Sequence, residues 1–167
     1  MPYSDSFVLA DDVIKHLDQV MVEIADPFIS SRYVGFVAVT AVTVYELAIK
    51  DILFEFGEKK HQVLGNFTRS YFERMNGRIS IDDLRKASKR FGQKYSDQFN
   101  KKLDFTEADL LRRKKASAKA SYTNILNWRN EFAHGGRIPS TATYLEVTTS
   151  YELGKEVIRC LAESMRR

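Results

Sequence analysis

Helix breakers are scarce in this chain: three prolines and eight glycines punctuate 167 residues. A many-stranded sandwich needs a turn every few residues, so this scarcity favours long helices. The stretch from about Ser30 to Phe56 is the severest case, because no turn signal divides it. Val34, Val37, Val39, Val42 and Val44, with Thr40 and Thr43, have strand propensity. They run directly into Glu46-Leu47-Ala48-Ile49-Lys50-Asp51-Ile52-Leu53, which reads as helix, and a strand of the combined length is rare. Thr40, Thr43, Glu46 and Lys50 also recur along one side at three- and four-residue steps. The stretch reads as one long buried helix, terminated by Gly57.

The flanking segments follow the same logic. A first helix starts near Leu9, with Val13, Leu17, Val20, Met21 and Ile24 as its apolar stripe. Asp26-Pro27 stops it, because the residue before a proline is pushed out of the helical region. A shorter helix covers His61 to Met75 and ends near Asn76-Gly77. Ser80, followed by Asp82 and Asp83, opens another helix carrying Leu84, Ala87, Ser88 and Phe91; the serine accepts a backbone bond and the aspartates suit a positive helix start. Residues 92–105 are polar and fit a short helix or an ordered loop equally well. Thr106-Glu107-Ala108-Asp109 resembles the start of a long helix that reaches His134, with Leu111, Ala118, Tyr122, Ile125, Leu126 and Phe132 facing inward. Gly135-Gly136, and Pro139 beyond, end it. Thr143 to Glu146 has capping-box spacing for a last helix to Met165, with Leu145, Leu153, Val157, Ile158 and Leu161 as core positions. No repeat or linker divides the chain, so residues 1–167 are expected to form a single all-α domain.

Composition narrows the function classes. A hydrophobic fraction of 44% and a charged fraction of 29% are ordinary for a globular protein in water. The longest charge-free apolar run, Tyr33 to Tyr45, is too short to span a bilayer, so no membrane partner is expected. The start Met-Pro-Tyr-Ser-Asp-Ser lacks the features of a secretory signal. Cys160 is the single cysteine, which excludes an intrachain disulfide and fits a cytoplasmic location. His16 and His61 are isolated and no Cys/His cluster has ligand spacing, so neither a metal nor a cofactor is expected. A net charge of +4 is compatible with RNA as partner without demanding it.

The segment with chemical potential is Arg129-Asn130-Glu131-Phe132-Ala133-His134, just before Gly135-Gly136. On a helix, Asn130 and His134 share a face and Arg129 stands about 100° from Asn130, at that face's edge. Arginine and histidine suffice for metal-free RNA cleavage. The 2′-hydroxyl attacks its own phosphate once a base takes its proton, and His134 can serve as that base or as the acid for the leaving 5′-oxygen. Arg129 can hold the phosphate and stabilise charge growing on its oxygens. Asn130 can orient either partner through its amide. DNA lacks the 2′-hydroxyl, so such a site needs RNA. A plainer reading is also open: arginine and histidine near a helix C-terminus are favoured by the dipole alone, and a polar trio can fix an interface.

An arginine, a polar residue that is often asparagine, a few residues and a histidine make a pattern similar to the signature of HEPN domains. Here it stands as Arg129-Asn130-Glu131-Phe132-Ala133-His134, and the Ala-His-Gly exit fits the resemblance. The layout also resembles that family: two long antiparallel helices with shorter ones, the motif near the end of the penultimate long helix, and one helix after it. The chain looks closest to stand-alone bacterial HEPN proteins of toxin–antitoxin and phage-defence loci. The resemblance implies a helical bundle that forms a homodimer, with two motifs meeting in a composite active site. It implies a metal-independent endoribonuclease leaving 2′,3′-cyclic phosphate ends, with Arg129, Asn130 and His134 in the catalytic roles and an antitoxin or defence protein as a further partner. Non-catalytic HEPN modules that bind RNA, nucleotide or protein are the alternative. Some HEPN toxins carry a tyrosine two residues after the histidine, which a partner nucleotidyltransferase modifies; Gly136 stands there in this chain.

Other residues are candidates on weaker signals. Glu46 interrupts an apolar helix with Lys50 four residues on; the two form an exposed ion pair, or Glu46 is a cleft acid that pairs with Arg129 or tunes His134 and Lys50 contacts RNA. Arg112 and Arg113, with Lys114, Lys115 and Lys119, are a solvated basic face or a contact for RNA phosphates. Arg137, just past the motif, is a nearer phosphate contact.

Overall fold

The structure, a computed structural model, describes residues 2–24, 26–135 and 142–166; the side chain of His134 lies outside that description. Among the described residues, a 3-10 turn at Tyr3–Phe7 leads into seven α-helices: α1 (Val8–Met21), α2 (Pro27–Lys60), α3 (Gln62–Phe72), α4 (Ile81–Lys89), α5 (Gln93–Lys114), α6 (Ala118–Gly135) and α7 (Tyr144–Ser164). The chain is all-α, as its scarce breakers predict. No helix among the described residues is long and apolar enough to cross a membrane.

The spine is α2, whose 34 residues extend about 51 Å. Asp26 starts it: the carboxylate accepts the Phe28 N–H at 2.8 Å, and Pro27 sits in the first turn, where its missing N–H is no loss. Thr40 and Thr43 donate their hydroxyls to the carbonyls of Phe36 and Val39, both at 2.9 Å, which accommodates polar β-branched residues in a helix. Gly57 is not the terminator expected of it. A Cβ there would lie 2.6 Å from Thr68 Oγ1 and 3.3 Å from the Gly65 Cα, so its role is to let α3 pack closely. The helix continues to Lys60, and His61 Nδ1 accepts the Val63 N–H at 3.1 Å to cap α3.

A second boundary also differs. Residues 93–105 are helical and Thr106 lies inside α5, so the expected helix start at Thr106-Glu107 does not exist. The chain breaks at Lys115, which takes a left-handed conformation with φ 54°. Ser117 Oγ accepts the Ala120 N–H at 2.9 Å, and Glu107 accepts both the Ser117 hydroxyl and the Lys119 N–H. Glu107 thus caps the next helix across the break instead of opening its own. Leu111, on α5, and Leu145, on α7, are exposed and do not join the core. Thr143–Glu146 forms a reciprocal capping box, as its spacing predicts, and the expected Ser80 cap is also reciprocal, with Asp83 bonding back to the Ser80 N–H.

The core centres on three fully buried tyrosines. Tyr45 of α2 stacks on Tyr122 of α6 at 5.2 Å and on Tyr151 of α7 at 5.7 Å. Their hydroxyls are satisfied: Tyr45 donates to the Tyr151 carbonyl and Tyr122 to the Ile79 carbonyl, both at 2.6 Å. This stack ties the motif helix to the spine. Further along, Phe132 lies against Gly35, where a Cβ would come within 2.1 Å of the ring. Residues 122 and 132 of α6 therefore meet residues 45 and 35 of α2, in antiparallel order.

One face of α2 is covered by no element among the described residues. Phe36 and Leu47 are 48% and 46% exposed, and with Ile29, Tyr33, Thr40 and Thr43 they make a stripe at three- and four-residue steps. Beyond Lys50 the same side of the helix carries Phe54 and Gly57, where α3 packs.

Candidate functional site

Beside that open face is a cleft of roughly 530 Å³, lined by Val39, Val42, Thr43, Glu46 and Leu47 of α2, by Asn76 and Gly77, and by Arg129 of α6. The Asn76-Gly77 turn reaches it because Gly77 adopts φ +72°, a conformation that glycine takes without strain. Glu46 anchors the turn: its Oε2 accepts the Gly77 N–H at 2.8 Å, while Oε1 accepts from Lys50 Nζ at 2.7 Å. Burial pushes the Glu46 carboxyl up, but the Lys50 and Gly77 hydrogen bonds and the charges of Lys50 and Arg129 outweigh it, leaving it below its ordinary range. It is a carboxylate at neutral pH.

Arg129 shares the charge of Glu46 with Lys50 but makes no hydrogen bond or ion pair with it. Its guanidinium packs over the Gly77 backbone, where a Cβ would come within 3.0 Å of Nη2. Its Nε is buried and has no hydrogen-bond partner among the described residues. The nearby carboxylate, Glu46, is already occupied by Lys50 and the Gly77 N–H. An arginine that lines a cleft without an ion-pair partner among the described residues can bind an anion: its fork of donors fits two oxygens of a phosphate or carboxylate.

The remaining candidates are dispersed. Asn130 is exposed and does not line the cleft. His134 lies in the last turn of α6, five residues beyond Arg129, with its side chain outside the described residues. Arg137 lies outside them altogether. Lys50 is held by Glu46 and is half-buried, so the two make an ion pair and Glu46 is also a cleft acid. Arg112 and Arg113 are exposed at the end of α5, and both pair with Asp109, at 2.9 and 2.8 Å. α6 starts near them, and Arg129 is about 16 Å further along that helix, too far to share one phosphate.

Sequence reasoning missed Asn76 and Gly77 as parts of the site. Positions 46, 77 and 129 are too far apart for any periodicity to join them; the one local signal is the Asn-Gly pair, which marks a turn able to adopt positive φ. Larger clefts lie between the N-terminal turn and the end of α7, and between α5 and α7, but the motif helix lines neither.

The model of the RiboL-PSP-HEPN family matches residues 4–166. No curated protein matches the chain, and no solved structure does. HEPN domains often act as dimers and bind RNA, and the family points to a nuclease or otherwise RNA-related function. With a match over nearly its whole length, a helical bundle among its described residues and the Arg129–His134 segment closing the helix before the last, the chain belongs to the RiboL-PSP-HEPN family.

Proposed function

We propose that this protein is a metal-independent endoribonuclease of toxin or phage-defence type. The observation that carries the reading is Arg129: its guanidinium has no partner among the described residues and faces a cleft, in the helix that also carries His134. In this reading Arg129 binds the scissile phosphate through its nonbridging oxygens. A histidine takes the proton of the 2′-hydroxyl as that oxygen attacks phosphorus, and the 5′-oxygen leaves with a proton from a second histidine acting as acid. The products are a 2′,3′-cyclic phosphate and a 5′-hydroxyl end. Charge building on the phosphoryl oxygens is met by the guanidinium, already oriented by Gly77. Asn130, on the outer side of α6, orients the phosphate or the histidine.

A second copy completes the site. The uncovered α2 stripe borders the cleft, and its three- and four-residue steps suit packing against another helix. A twofold dimer through this face brings two Arg129–His134 segments together, supplying one histidine as base and one as acid. Arg137 extends the phosphate contacts.

The test is cleavage of total bacterial RNA by purified protein in EDTA, beside Arg129→Ala and His134→Ala. Cutting by wild type alone, with cyclic-phosphate ends, supports the nuclease. Intact RNA with all three folded proteins removes it and leaves a non-catalytic RNA- or protein-binding HEPN module.

A further inference from the structure

The charge of the chain is unevenly placed. Residues 59–94 contain ten Lys/Arg and three Asp/Glu, a net of +7, whereas the whole chain carries +4, so the remainder is −3. This segment runs from the last two residues of α2 through α3, α4 and the connection whose Gly77 meets Arg129 to the first two residues of α5; within it Lys59, Arg69 and Arg85 pair with Glu55, Glu58 and Asp82. A like-signed stretch of this kind is the electrostatic footprint of a polyanion site.

Its surface also presents aromatic rings to solvent. Phe67 and Tyr71, one turn apart on α3, are 66% and 44% exposed, with centroids 6.0 Å apart and planes inclined by 22°. The Arg90 guanidinium lies 4.7 Å from the Tyr71 centroid. With Leu64 and Phe91 these groups line a groove of roughly 310 Å³. Neither Lys89 nor Arg90 has an acidic partner among the described residues. Near-parallel exposed rings, with an arginine over one of them and an exposed lysine next to that arginine in sequence, suit single-stranded nucleic acids, which put bases on rings and phosphates on cations. A second copy of the chain is a poorer fit here, since two such surfaces repel one another, whereas the α2 stripe is uncharged.

Resting on RNA as the substrate, we propose that Phe67 and Tyr71 form a base-stacking platform, with Lys89 and Arg90 on the phosphates, that holds single-stranded RNA outside the cleft. Thr68 packs on Gly57 and Gly77 is bonded to Glu46, which places the platform about 16 Å along α2 from the cleft.

The probe is a fluorescently labelled 2′-O-methyl oligoadenylate of about fifteen nucleotides, which cannot be cleaved, titrated into full-length protein. Phe67→Ala/Tyr71→Ala should weaken binding at least about tenfold. Phe67→Trp should bind as well as wild type, with its indole fluorescence quenched on binding. Lys89→Gln/Arg90→Gln should reduce the slope of log affinity against log salt by about 1.4. Affinities within twofold of wild type for both double variants, each with an unchanged melting temperature, overturn the platform. A sedimentation change in the alanine variant with unaltered RNA affinity overturns it too, and makes the rings a protein contact. If the alanine variant fails to fold, the tryptophan quenching and the salt slope decide. Binding through these residues by a protein that cuts no RNA leaves the platform standing and removes the nuclease; cutting by a protein whose variants all bind normally does the reverse.

Discussion

Arg129 carries a structural penalty. A buried Nε–H without an acceptor destabilises the fold by the desolvation of that donor, about 1–3 kcal/mol. Arg129→Met, which keeps the stem and removes the donors, is therefore expected to leave the melting temperature unchanged or raise it while abolishing RNA cleavage. A fall of several degrees would show that the guanidinium is a structural tie instead. Gly77 is the second sensitive residue. Gly77→Ala forces a side chain into φ +72° and brings a Cβ to 3.0 Å from Nη2, so about 1–2 kcal/mol of stability should be lost, read by urea unfolding, together with cleavage. Glu46 links these two groups. Its folded titration lies below its ordinary value near 4.5, so the stability it contributes is present above that value and is lost as pH falls through the lower, folded one. Glu46→Gln should cost about 1 kcal/mol at neutral pH, discounted for partial exposure, and should flatten the acid side of the stability profile.

At the scale of elements, the α5–α6 break decides where the motif helix begins. Lys115 holds φ 54° without a glycine's freedom, a strain of about 1 kcal/mol. Lys115→Gly should raise the melting temperature, and Glu107→Ala, which strips the cap from Ser117 and Lys119, should lower stability by about 1–2 kcal/mol; thermal unfolding of the two variants checks both signs. The tyrosine stack sets the next part of the geometry. Tyr122 is two turns from Arg129 on α6, so its contact with Tyr45 fixes the rotation of α6 and turns Arg129 toward Glu46 and Gly77.

For the whole molecule, the proposed second copy and the proposed RNA fall on different surfaces, the uncharged α2 stripe and the basic α3–α4 surface. Phe36→Lys/Leu47→Lys replaces exposed side chains and should leave the helical content intact. Sedimentation should show a monomer, and cleavage should fall by more than tenfold if the active site is composite. A stable dimer in this variant would place the interface elsewhere.

The sequence by itself determined the all-α class, the reach of α2 through a valine- and threonine-rich run, the Ser80 cap, the Thr143–Glu146 capping box and the family-like segment on the penultimate helix. Each of these rests on local physics: breaker scarcity, side-chain caps and helical spacing. The misread boundaries were also local, but their causes were not. Gly57 is a helix interior because α3 crosses there, and Glu107 caps another helix across a turn that carries no glycine. The cleft was decided by tertiary structure alone. Glu46, Gly77 and Arg129 are separated by 31 and 52 residues, and only the packing of α6 on α2 through the tyrosine stack leaves the arginine unpaired beside a carboxylate already occupied by Lys50.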